Sequence, residues 1–84
     1  MPPVAREGVF EFRVYAHEAA YEPPHVHVVF GGEQVRINLN SGEFMEKPPP
    51  GKEGAIREAF ARHAAEIRRK WDEIHGARRR REGS

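Results

Sequence analysis

The chain has 84 residues, 14 Lys and Arg against 13 Asp and Glu for a net charge of +1, and no cysteine. So short a chain makes one domain that buries roughly 60–65% of its unfolded surface, which excludes a second core. The absent thiols exclude disulfides and thiolate metal centres. No apolar run approaches the ~20 residues of a membrane span, and the start Met1-Pro2-Pro3-Val4 lacks a signal peptide's basic and apolar stretches, so the chain reads as soluble, cytoplasmic and without a membrane partner.

The first predicted element is a strand over residues 9–16, where Phe10, Phe12, Val14 and Ala16 alternate with Glu11, Arg13 and Tyr15 as a half-buried strand requires. Pro23-Pro24 then withholds two backbone donors and starts the next strand in extended geometry. That second strand, residues 25–30, carries His25-Val26-His27-Val28, which alternation aims as two imidazoles at one face and two valines at the other. Gly31-Gly32 reads as a two-residue primed hairpin turn. Counting outward from it pairs Phe30 with Glu33, Val28 with Val35, Val26 with Ile37, His27 with Arg36 and His25 with Asn38.

The third strand, residues 33–40, places Val35, Ile37 and Leu39 inward and Gln34, Arg36, Asn38 and Asn40 outward. Residues 43–46 are a candidate short fourth strand before Pro48-Pro49-Pro50-Gly51 ends regular pairing. From residue 52 to 75 the period changes to three and four, with Ile56, Phe60, His63, Ala64, Ile67, Trp71 and Ile74 on one stripe of an amphipathic helix stopped by Gly76. That stripe has to cover the sheet, with Phe60, Ile67 and Trp71 as its largest contacts. The fold class is α+β: a three- to four-stranded antiparallel sheet with one long C-terminal helix packed on one face. Residues 1–76 form this single domain, and residues 77–84 form a basic disordered tail.

Charge is unevenly spread, with four basic and seven acidic residues in 1–51 but ten basic and six acidic in 52–84. The run Arg78, Arg79, Arg80 and Arg81 is a candidate for contacting the phosphates of RNA or DNA without sequence selectivity, although most such runs are solvated tails. On the outward face of the sheet, His25 and His27 are candidate catalytic acid and base for phosphodiester cleavage, with Arg36 as the anion clamp. Gln34, Asn38 and Glu22 are candidate binding residues beside them. Two histidines fall short of a metal site's usual ligand number even with His17, Glu18 or Glu22 nearby, so neither a metal nor a cofactor is expected. The plainer reading makes the imidazoles a hydrogen-bonded surface. His63, inside the helix's apolar stripe, reads as a partly buried hydrogen-bonded residue, and His75 as a cation at a helix C-terminus.

Pro23-Pro24-His25-Val26-His27, the Gly31-Gly32 turn, the alternating residues 35–39, His63 with Ile67, and Trp71 together resemble a small bacterial family catalogued as domain of unknown function 4160, over residues 9–76. The resemblance implies a small protein partner encoded nearby, because such genes commonly sit beside another small uncharacterised one in a toxin-antitoxin-like pair. Residues 47–51 are more proline-rich than the family pattern, and the arginine run lies outside it. Three function classes follow: a protein-binding component of a two-gene module, a metal-independent ribonuclease or phosphodiesterase-type toxin using His25, His27 and Arg36, or a nucleic-acid-binding protein using the basic helix and tail. Whether the chain is an enzyme stays open at this level, and edge strands in so small a domain also allow a homodimer.

Overall fold

The structure is a computed structural model that describes residues 3–16 and 22–76. Residues 77–84, with the arginine run, lie outside the described residues, as do His17 and Glu18. Four strands, β1 (Ala5–Glu7), β2 (Phe10–Arg13), β3 (His25–Phe30) and β4 (Glu33–Asn38), form an antiparallel meander in the order β1-β2-β3-β4. Helix α1 (Glu53–Trp71) follows and passes into a π-helical turn, Asp72–Gly76. The α+β class expected from the periodicity is the one observed. Among the described residues no helix is long and apolar enough to cross a membrane.

The β3–β4 hairpin has the register that counting from the turn predicts, from Phe30 opposite Glu33 to His25 opposite Asn38. Gly31 and Gly32 take φ of +50° and +78°, the left-handed values that a primed turn requires at both positions and that glycine adopts without a Cβ clash. Phase and turn chemistry agree, so a one-residue slip would have to bury the polar set.

The fourth strand is not where the sequence places it. It is the N-terminal β1, three residues long between Pro3 and Gly8, too short for any alternation to be read. Phe44 contributes only an isolated bridge to Ile37, although the Asn38 N–H donates to the Glu43 carbonyl and the Met45 N–H to the Arg36 carbonyl, each at 2.8 Å. The segment therefore shields the outer edge of β4, and the prolines that follow it supply no donors to extend the pairing. The first predicted strand is also shorter than expected: Val9 sits 68% exposed in the β1–β2 turn, and pairing with β3 ends at Arg13, before residues 14–16.

Alternation puts Phe10, Phe12, Val26, Val28, Val35 and Ile37 on the face that meets α1, where all are buried. Phe10 and Phe30 meet edge to face with centroids 5.3 Å apart. From the helix, Ile56, Ala59, Ile67 and Trp71 are buried; Phe60, expected among the largest contacts, is only half-buried. The buried stripe runs through the small Ala59 instead, a position that lets helix and sheet approach closely, and so turns Phe60 toward the margin. Each fully buried side chain of this kind contributes about 1.5–3 kcal/mol. Glu53 lies in the first turn and Arg68, Arg69 and Lys70 in the last, each sign favourable to the helix dipole.

Candidate functional site

The Pro23-Pro24 entry and the β3 alternation place His25 and His27 side by side, with ring centroids 5.1 Å apart. The sequence expectation that they project into solvent is not met: His25 is 0% exposed and His27 9%. Rings from two other elements reach them, the Trp71 indole at the end of α1 lying 5.6 Å from His25 and the Tyr15 phenol 4.6 Å from His27. His75 stacks on Trp71 at 3.8 Å and 24°. The result is a continuous aromatic row, Tyr15, His27, His25, Trp71 and His75, at one end of the sheet.

Hydrogen bonds define two of the imidazoles in that row. His25 Nδ1–H donates to the Pro23 carbonyl at 2.8 Å, and His75 Nε2–H donates to the Tyr15 carbonyl at 3.0 Å. A carbonyl only accepts, so each of these nitrogens carries a proton and the ring orientation is set by backbone. Pro23 thereby has a use beyond opening the strand: its carbonyl aims the first histidine of the motif.

Arg36 stands opposite His27 in the register, but its guanidinium is paired with two carboxylates. Its backbone N–H and Nε bond the two Glu46 oxygens at 2.8 and 2.5 Å, and its Nη1 bonds Glu22 Oε2 at 2.7 Å. The hydrogen bond to Glu46, then that to Glu22, pushes the guanidinium's pKa still higher than arginine's ordinary value. An arriving phosphate would meet one cation flanked by two carboxylates. On the same face Arg6 and Arg13 both bond Glu11, so that among the described residues three arginines and three glutamates are joined there.

The other predicted binding residues separate. Asn38 Oδ1 accepts the backbone N–H groups of Asn40 and Ser41, at 2.8 and 3.1 Å, and so builds the turn after β4. Gln34 is exposed opposite Val29. Glu22 joins Arg36 rather than a histidine ring. Arg78, Arg79, Arg80 and Arg81 lie outside the described residues.

His63 behaves as its place in the stripe predicts, with Nε2 3.1 Å from Glu7 Oε1, Nδ1 3.6 Å from Glu66, and its ring 6.0 Å from Phe12. Arg62 grips the same Glu7 carboxylate through Nε and Nη2. That hydrogen bond from Arg62 is the main cause holding the Glu7 carboxyl below its ordinary value, against a smaller upward push from burial and with further help from His63. This cluster straps β1 to the helix.

Sequence reasoning missed Tyr15, His75 and Glu46 as neighbours of the candidate site. For Tyr15 a signal existed: β2 pairs Arg13 with His27, and Tyr15 follows Arg13 by two positions on the same side. His75 and Glu46 meet the site only because the helix and the post-β4 segment return to the sheet, a tertiary event without local periodicity.

Among the described residues no group of three or more His, Cys, Asp or Glu is placed to hold a metal ion. No curated protein and no solved structure matches the chain significantly. A family model described as "Domain of unknown function (DUF4160)" does match, over residues 10–72, which takes in β2, β3, β4 and α1 and leaves β1 and His75 outside. With that match spanning most of the sequence and the whole hairpin-and-helix unit, the chain belongs to the DUF4160 family.

Proposed function

We propose that this protein is the protein-binding component of a toxin-antitoxin-like two-gene module, acting in the cytoplasm and docking a small partner protein on the outer face of its sheet. The observation that carries this reading is the Arg36 cluster: a guanidinium held between Glu46 and Glu22 is a poor anion clamp but a suitable polar centre for a protein interface, where arginine is enriched. The outer edge of β1, which no strand pairs among the described residues, offers a second element for such a partner by strand addition, since residues 43–45 already pair along β4. The alternative, a metal-independent ribonuclease using His25, His27 and Arg36, has less support, because its acid and base are buried and its clamp is neutralised. Nucleic-acid binding through Arg78, Arg79, Arg80 and Arg81 rests on residues outside the described part of the chain.

Co-expression with the small protein encoded beside it is the test. A stable complex on size exclusion is expected, weakened by Gln34→Lys, which adds a charge at an exposed position of the face without touching the core. Failure to form a complex, together with RNA cleavage by the purified chain that His27→Ala abolishes, would replace this reading with the enzymatic one.

A further inference from the structure

We infer that the C-terminal turn Asp72–Gly76 is a latch over the His25–His27 pair, which becomes accessible when His75 releases Tyr15. The helix changes winding at Asp72, whose N–H reaches both the Arg68 and Arg69 carbonyls, and the wider π turn brings His75 onto the Trp71 face. From there His75 Nε2–H reaches the Tyr15 carbonyl. The two residues so joined carry the rings that lie against the histidines, Trp71 against His25 and Tyr15 against His27. Among the described residues, one hydrogen bond and one stack thus close the cover from its helix side to its strand side.

The turn has the makings of a part that opens alone. Asp72 and Glu73 are exposed and pair only with Arg68 and Lys70 of the same helix among the described residues, while Ile74 and His75 are half-buried, and a turn held to the sheet by so little buried surface opens at lower free energy than a core strand. β3 does not depend on it, being paired on both sides with β2 and β4. Opening would therefore uncover two imidazoles while leaving their spacing intact, whatever docks on the sheet.

Carbethoxylation by diethyl pyrocarbonate, read residue by residue by mass spectrometry, tests the latch with His63 of the same molecule as internal reference. His75→Ala, which removes bond and stack, is expected to raise the rates at His25 and His27 about tenfold or more relative to His63. His75→Phe, which keeps the stack, should give a smaller rise. Unchanged relative rates, or a rise shared equally by His63, would overturn the proposal. If His75→Ala does not fold, the unaltered protein decides: a His25 rate flat in urea below the unfolding transition supports local opening, and one that climbs with the full unfolding slope rejects it.

Discussion

At the scale of single residues, the most consequential contacts are those that commit a charge. Arg36 links β4 to Glu46 and Glu22, so Arg36→Ala removes two side-chain hydrogen bonds, keeps the backbone N–H bond to Glu46, and leaves two carboxylates close together. Because the guanidinium is 27% and Glu46 41% exposed, solvent screens much of this, and the expected cost is about 1 kcal/mol in urea unfolding. Arg36→Lys should recover little, since an ammonium cannot reproduce the fork. Glu7 supplies a pH signature. Its carboxyl is lowered from 4.5 by Arg62 first and by His63 more weakly, so it binds a proton more readily unfolded than folded. Its contribution is therefore complete above the unfolded value and lost as pH falls through the lower, folded one. The gap in Tm between the parent and Glu7→Gln should therefore close as pH falls from about 5 through the folded value. A gap that persists or widens as pH falls below about 4 would contradict the Glu7–Arg62 strap.

Elements are specified by different means. The β3–β4 hairpin depends on the Gly-Gly turn, where a Cβ at either glycine would meet nothing within 4 Å. Any cost of substitution there is conformational. Gly31→Val, forcing a β-branched residue to φ of +50°, should destabilise by about 1–2 kcal/mol, and Gly31→Asn by much less, since asparagine tolerates the left-handed region. Equal midpoints for the two variants in urea would show that the turn does not set the register. The helix is specified by its buried stripe and charge order, and has no side-chain cap at Lys52. Its first turn is anchored by the chain itself, through the Lys52 N–H on the Pro49 carbonyl at 3.2 Å.

For the molecule as a whole, the small core leaves little reserve. Phe12 is 0% exposed and central to the sheet face under α1, so Phe12→Ala should cost about 3–5 kcal/mol. A domain of this length has only about 4–13 kcal/mol in total. Calorimetry is expected to show that variant largely unfolded or melting far below the parent; a Tm loss of a few degrees would mean the core repacks. Charge acts at this scale too. Ending the chain at Gly76 removes four arginines and one glutamate and takes the net charge from +1 to −2. Any weak, salt-sensitive binding to RNA should then disappear, whereas docking to a protein partner should persist.

The sequence by itself determined the strand and helix periods, the hairpin register, the α+β class and most of the residues that line the core, Ala59 in place of Phe60 excepted, because these follow from local alternation, turn chemistry and the spacing of apolar side chains. It also placed His25 and His27 on one side of β3. Only the tertiary structure decided what lies over them. Tyr15 arrives from the segment after β2, Trp71 from α1 and His75 from the π-helical turn, and Glu46 reaches Arg36 from ten residues away. Strand phase says which way a side chain points, but burial depends on where distant segments come to rest, and no period in the chain encodes that.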